Sequence, residues 1–432
     1  IRHLLNHTSG LRDWGSVAAV EGWPRGSRVH THEHMLDIAV RQQALNYPPG
    51  EHYSYTNTGY NLQAVLVERV SGVPFAEFSR THIFEPLGLS STQWRDDFAR
   101  IVENRSIGYR PAPGGAWRWD MPFENVHGNG GLLTTVEDLL RWTESLEKGD
   151  LGGAAFVQEM HRQGVLNSGR TIAYASGLVV GEYKGVSEVS HGGATAGYRA
   201  YLARYPDHEV AVALLCNAAN ANPGMLAHQV ADLYLADAIA TGVAADADGE
   251  DAPEAAWKTS PETLGALAGL YRNTRSNAAA RLVLEEGTLR LEDGPPLRAV
   301  GERRFQVAGG PALVFAAARA GERASFHVVA PDGDSVLFVP VAEGRPTAAE
   351  LQAYAGTYHS DEAEATFTVA VEEEGLTLRR RFGRTLPLTP LYADAFDSSM
   401  GPIRFLRDAS GRIEALATTS SRVWDLRFER QR

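Results

Sequence analysis

Tyr53-Ser54-Tyr55-Thr56-Asn57-Thr58-Gly59-Tyr60 decides how this chain is read. Pro48-Pro49-Gly50 ahead of it forces a turn, because two pyrrolidine rings fix φ and the glycine permits positive φ. Behind it, Leu62, Val65, Leu66, Arg69 and Val70 recur at helical spacing, so a helix is expected to start just past Gly59. Tyr55 and Asn57 then sit two residues apart on a short connection, placed to point into one cleft. A phenol shuttles a proton when a nearby cation lowers its pKa, and a carboxamide both donates to and accepts from a substrate amide. A tyrosine-rich start to a purely structural helix accounts for the same residues. The rest of the chain decides between the two.

Size and composition narrow the class. A chain of 432 residues is expected to hold two or three domains, and 44% hydrophobic with 22% charged residues reads as globular. The net charge of −12 argues against nucleic acid and against an anionic membrane surface as partners. Cys216 is the single cysteine, so no intrachain disulfide forms, and its place after the apolar run 210–215 predicts a buried thiol. No run of about 18 apolar residues occurs, so no membrane span is expected. Ile1-Arg2-His3-Leu4-Leu5 reads as the interior of a folded unit, with a short helix ending in the loop His7-Thr8-Ser9-Gly10. The expectation is a sequence that starts inside a domain. A targeting signal ahead of it leaves the compartment open.

Thr31 is a good N-cap for a helix reaching about Gln43, with Glu33 in its first turn. His30, His32 and His34 look like metal ligands at first, but residues two apart on a helix point to nearly opposite sides, so no metal is expected. Phe84-Glu85-Pro86-Leu87-Gly88-Leu89 reads as a helix stop and turn, and Arg110 to Gly131 as a Trp- and Gly-rich loop. Thr134-Thr135-Val136-Glu137-Asp138 opens another helix with a capping pattern. The runs 198–205 and 210–215, joined by Pro206-Asp207, predict an antiparallel hairpin, followed by a helix over about 225–240.

Composition changes after that helix. The residues 242–262 read as a linker, being rich in Ala, Asp, Glu and Gly and poor in large apolar side chains up to 256. Beyond it the pattern is all β, with turns at Glu286-Gly287, Asp332-Gly333, Glu374-Gly375 and Ser410-Gly411. An internal repeat is visible: Leu267-Ala268-Gly269-Leu270-Tyr271 echoes Tyr354-Ala355-Gly356-Thr357-Tyr358. Glu285-Glu286-Gly287-Thr288-Leu289 echoes Glu373-Glu374-Gly375-Leu376-Thr377. Two small antiparallel barrels of roughly eight strands are expected, over 263–342 and 343–432, since closure removes sheet edges.

Ser190-His191-Gly192-Gly193-Ala194 is the second landmark. Glycines in an edge strand let a substrate backbone lie close, and amide N–H groups there can face a developing oxyanion. A β-bulge explains a lone His-Gly-Gly equally well. Taken together, the pieces resemble the serine β-lactamase and penicillin-binding-protein-like hydrolases, in their class C, esterase and D-aminopeptidase branch. The resemblance runs over about 1–240. It rests on Arg2 through Leu11, Pro49-Gly50 through Gly59-Tyr60, Phe84 through Leu89, Gly130-Gly131-Leu132 through Leu139, and His191-Gly192-Gly193.

The resemblance implies an α+β fold for 1–241, a helical lobe beside an antiparallel sheet, incomplete here. It carries the Tyr-x-Asn element onto Tyr55 and Asn57, and the Lys-Thr-Gly or His-x-Gly element onto His191 and Gly193. The β-rich repeats look like the barrels of D-aminopeptidase-like members. Gly192, Gly193 and Ala194 would line the oxyanion side, with no cofactor and no metal. The family's nucleophile is the serine of a Ser-x-x-Lys motif, expected before Ile1. The run Ser145-Leu146-Glu147-Lys148 has that spacing but the wrong place in the order, and is expected on the surface, away from Tyr55. No Gly-x-Ser-x-Gly elbow occurs. The expectation is a fragment of a serine hydrolase that acts on a small-molecule or peptide amide or ester, inactive by itself. The resemblance favours a periplasmic or secreted location, and the oligomeric state stays open. The alternative is a non-catalytic relative that uses the cleft or the barrels for binding.

Overall fold

In the computed structural model, which describes residues 1–239, 257, 259–292, 294–307, 310–318, 322–330, 333–372 and 375–432, the helix after the tyrosine-rich stretch begins at Asn57. That is three residues earlier than expected. The preceding Thr56 makes no side-chain cap; the Asn57 N–H instead donates to Asp13 Oδ2 at 2.8 Å, from 44 residues away. Gly59 therefore lies inside the helix, where a Cβ would meet the Leu4 carbonyl oxygen at 3.0 Å. Of the linker expected over 242–262, residues 242–256 and 258 lie outside the described residues, as do the Asp332 and Glu373-Glu374 parts of the turns, while its last residues, Pro261 and Glu262, open a helix.

The described residues divide into two units, Ile1–Gly15 with Trp23–Glu250, and Ser16–Gly22 with Asp251–Arg432. The helix α2 (Trp14–Glu21) runs across that division, after α1 (Arg2–Leu5). In the first unit follow α3 (His32–Arg41), α4 (Asn57–Ser71) and α5 (Phe75–Ser79), the last continuing as a π turn over Arg80–Phe84. Thr31 caps α3 as expected, accepting from His34 N. Helix α4 ends on Gly72 in the left-handed region, φ 72°, a conformation glycine takes without steric cost. Part of the expected loop over 110–131 is a ribbon: β2 (Tyr109–Pro111) pairs with β3 (Trp117–Trp119), while β1 (Gln93–Trp94) pairs with β4 (Leu132–Leu133). Thr135 caps α6 (Val136–Lys148), and α7 (Gly153–Met160) follows.

A four-stranded antiparallel sheet carries the second landmark: β5 (Val179–Tyr183), β6 (Val186–Thr195), β7 (Tyr198–Tyr205) and β8 (Val210–Cys216), in sequence order. The last two strands are the hairpin expected around Pro206-Asp207. Cys216, at the end of edge strand β8, is half-buried rather than buried, because no described strand covers its outer side. One face of the sheet packs on α8 (Pro223–Tyr234), joining Val186, Ala203, Tyr205 and Val212 to Ala227 and Ala231. Burial of about 25 cal/mol per Å² of apolar surface favours this layer.

A carboxylate sits in that face. Glu188 accepts from Tyr201 Oη at 2.9 Å and Tyr205 Oη at 2.8 Å, and lies 2.8 Å from His228 Nε2. Burial raises its pKa, but donors from Tyr205, Tyr201, Ser190 and His228 outweigh burial and leave it below the ordinary 4.5. A depressed folded pKa adds stability that is present above the unfolded value and lost as pH falls through the folded one. Glu188→Gln is expected to be less stable than the unsubstituted chain at neutral pH, the gap narrowing as pH drops below about 4.5. Urea denaturation at pH 7 and pH 3 checks this; an equal gap at both would exclude an ionised Glu188 as the hub.

The second unit holds two eight-stranded sheets, each entered by a short helix, α9 (Pro261–Leu267) and α10 (Ala348–Tyr354). The strands from Gly356 to Arg430 close into a barrel, Tyr358 pairing with Arg430. The earlier sheet curls round until its last strand pairs with its first, Phe338 opposite Asn273, but Thr288–Leu291 and Leu297–Gly301 remain its edges. An isolated bridge between Arg290 and Pro296 links these edges, so this sheet too forms a barrel, nearly closed. The repeat is physical as well as textual: Tyr271 Oη donates to the Leu267 carbonyl and Tyr358 Oη to the Tyr354 carbonyl, both at 2.7 Å. An arginine, Arg323 or Arg430, lies over each ring and over the glycine two residues before it. Within this unit the sheets meet where Tyr392 Oη donates to the Asn277 carbonyl at 2.8 Å.

Candidate active site

Tyr55 and His191 come together, from the lead into α4 and from the middle of β6, with ring centroids 6.3 Å apart. Two residues that the sequence did not single out hold them. His7, fully buried, lies over Tyr55 at 4.0 Å between centroids, and its Nδ1 accepts from the Thr56 N–H at 3.2 Å. That bond fixes the backbone next to Tyr55. Tyr174 meets His7, edge to face, at 4.5 Å, and its Oη shares a hydrogen bond of 3.0 Å with His191 Nε2. Burial lowers the pKa of His191, so its ring is neutral near pH 7. Burial, with the neighbouring Tyr60 and Tyr55, drives the Tyr174 pKa far up, so this phenol keeps its proton.

Asn57 is buried and turned toward the protein. Its Nδ2 donates to Asp13 Oδ2 at 2.8 Å, and its Oδ1 accepts from Asn129 Nδ2 at 3.1 Å. The expected open carboxamide is therefore held at both ends, with one amide hydrogen and one oxygen lone pair left over.

Gly192, Gly193 and Ala194 are exposed and fully in register with β7, opposite Tyr201, Ala200 and Arg199, so the bulge account of His-Gly-Gly fails. Strand β5 pairs with β6 only as far as Ser190, opposite Val179. Past that point the β6 edge has no strand beside it among the described residues. A Cβ at Gly192 or Gly193 would make only ordinary contacts, 3.6 Å to Tyr201 and 3.4 Å to Ala200. The fold itself does not demand glycine there; smallness leaves room along the open edge.

The histidines His30, His32 and His34 serve three separate structural ends. His30 Nε2 faces the Trp23 carbonyl at 3.2 Å, and burial lowers its pKa to about 4. His32 packs its ring on His127, and His34 Nδ1 accepts from the Thr31 N–H in the cap of α3. Among the described residues no three His, Cys, Asp or Glu side chains group to hold a metal ion.

The Beta-lactamase family model matches residues 1–237, more than half of the chain. The chain belongs to the β-lactamase family. A penicillin-binding protein of Bacillus subtilis is 29% identical over 235 residues, 50% of this chain and 51% of that protein. The D-aminopeptidase of Brucella anthropi is 26% identical over 386 residues, 87% of this chain and 67% of the relative. Among solved structures, the octameric penicillin-binding protein homologue from Pyrococcus abyssi is 20% identical, covering 89% of this chain and 77% of that one at a TM-score of 0.48. The chain thus spans about half the length of the Bacillus relative and about two thirds of the D-aminopeptidase.

For a β-lactamase-family site the spacing Ser145-Leu146-Glu147-Lys148 invites a test. Ser145 is buried, not on the surface as expected, because its Oγ donates to the Trp142 carbonyl one turn back at 2.7 Å. Lys148 is exposed and bonded to Glu144. The hydroxyl is thus engaged within its own helix and the amine with Glu144 in solvent, so the two are not bonded to each other although three residues apart on α6. Asp13, Asn129, His7 and Tyr174 were missed by sequence reasoning. His7 and Asp13 lie in or beside the loop of the Arg2–Leu11 match, which was the one signal that pointed to them.

Proposed function

We propose that these residues form the proton-handling and carbonyl-polarising side of a serine hydrolase that opens amide or ester bonds through an acyl-enzyme. The supporting observation is the convergence of Tyr55, Tyr174 and His191 beside the open edge of β6. In this reading the serine and its activating lysine lie in residues beyond those given. The serine Oγ bonds to the substrate carbonyl carbon as its proton leaves. Tyr55 passes that proton to the leaving amine or alcohol, whose bond to the carbonyl carbon then breaks. Asn57, its plane held by Asp13 and Asn129, spends its remaining hydrogen and lone pair on the substrate amide. The Ala194 N–H and the serine N–H stabilise the oxyanion, and neutral His191 orients the edge that carries them. Water then opens the ester, releases the acid and returns the proton to the serine.

Among amide and ester substrates, N-terminal D-residues are favoured. The similarity to D-aminopeptidases extends over 87% of the chain and so takes in the β-rich second unit, whereas that to the Bacillus penicillin-binding protein covers half. The 432 residues alone are expected to leave a chromogenic cephalosporin, a nitrophenyl ester and D-alanine p-nitroanilide unhydrolysed above background. A longer protein carrying the serine and lysine is expected to turn over D-alanine p-nitroanilide, and the L-isomer at least tenfold more slowly, about 1.4 kcal/mol of discrimination. Inactivity of that protein on all three substrates would leave the binding-relative alternative standing instead.

A further inference from the structure

Arg204 stands two residues after Leu202 on β7 and so faces the same side of the sheet as Leu202 and its cross-strand partner His191. A small cavity of about 40 Å³ opens over this face. Trp142 and Leu146 of α6 wall one side, and His161, just past α7, another. The walls are mainly apolar, yet Arg204 is only 7% exposed, and its Nε and Nη1 have no hydrogen-bond partner. His161 Nε2, in the same cavity, also lacks one. Glu147 couples to Arg204 at a distance but forms no ion pair with it among the described residues. A buried guanidinium without a counter-charge is strongly unfavourable unless something anionic enters. Arg204 and His161 line the same cavity and lie close enough to interact electrostatically, so a single anion there is the partner argued for both. An inorganic anion would satisfy the donors and leave the apolar walls against water.

We propose that this cavity is a carboxylate site, in which Arg204 N–H groups and His161 Nε2 donate to the carboxylate of a small organic acid whose short apolar tail lies on Leu146 and Leu202 toward His191. Its two donors, Arg204 and His161, have no part in the acyl-transfer reading, although His191 lines the same cavity. The carboxylate has two possible sources, a free small acid or an Asp or Glu side chain from residues beyond those given.

The test is ¹⁹F NMR of 3,3,3-trifluoropropionate with the 432-residue chain, using 3,3,3-trifluoropropanamide as the neutral control. The acid is expected to broaden saturably and be displaced by propionate, with the amide unaffected. Arg204→Met should weaken binding about tenfold or more, Arg204→Lys less, and His161→Gln several-fold, as expected for charge-assisted hydrogen bonds. Arg204→Lys and His161→Gln keep the test decisive if Arg204→Met fails to fold. The same experiment on a longer protein separates the sources: binding retained there assigns a free acid, and binding lost only there assigns a side chain of the protein. No saturable binding to the chain, equal binding of acid and amide, or binding unchanged in both Arg204→Lys and His161→Gln would overturn the proposal.

Discussion

Tyr55→Phe, in a protein that also carries the activated serine, is expected to lower kcat by roughly 10²–10⁴-fold while KM changes little. The substitution removes one oxygen and leaves the ring stacked under His7 and beside His191, 4.0 Å and 6.3 Å between centroids. Packing and substrate contact therefore survive, and only the proton carrier is lost. Tyr174→Phe supplies the contrast, because its phenol holds its proton and bonds His191. It is expected to act through the orientation of His191 and to cost less than Tyr55→Phe. Steady-state kinetics on D-alanine p-nitroanilide, for both variants in parallel, checks the order. Wild-type turnover in Tyr55→Phe alongside inactivity of His191→Ala would move the proton-transfer role away from Tyr55.

Asp13→Ala carries the second large effect, on stability. The buried carboxylate accepts the first backbone N–H of α4 and the side-chain amide of the same residue, both at 2.8 Å. Without it, two buried donors lose their acceptor, and a helix whose own N-cap side chain is idle loses its cap. The expected destabilisation is about 2–4 kcal/mol, in the range for breaking a buried charge-assisted network. Asp13→Asn keeps one acceptor oxygen and should cost about half as much. Urea unfolding measures both, and a cycle with Asn57→Ala isolates the coupling, expected at about 1 kcal/mol or more. A loss under about 0.5 kcal/mol for Asp13→Ala would mean the bonds at Asn57 are replaceable by water.

What the sequence made legible was local chemistry. The caps at Thr31 and Thr135, the stop around Pro86 and Gly88, and the turn at Pro206-Asp207 each depend on a few neighbouring residues, and each was readable in advance. So was the internal repeat, since the same tyrosine-to-carbonyl bond four residues back recurs at Tyr271 and Tyr358. At the candidate site, two short motifs led to Tyr55 and His191, which the fold brings together at 6.3 Å between ring centroids. The site was not legible where partners come from far along the chain. Asp13 reaches Asn57 across 44 residues and moves the helix start, while Tyr174 carries no motif and matters only because folding brings it to His191. Ser145 misled for a local reason: a hydroxyl that bonds its own helix carbonyl needs no water, so polarity did not predict exposure.

The central claim is that Tyr55 serves a serine that these 432 residues do not contain. Mapping a fluorophosphonate adduct by peptide mass spectrometry tests it directly, on the 432-residue chain and on a longer protein from the same reading frame. The account predicts no adduct anywhere in the chain alone. In the longer protein it predicts a single modified serine ahead of Ile1, labelled about 10²-fold or more slowly when Tyr55 is Phe. An adduct on Ser145, or on any serine between Ile1 and Arg432, would contradict it.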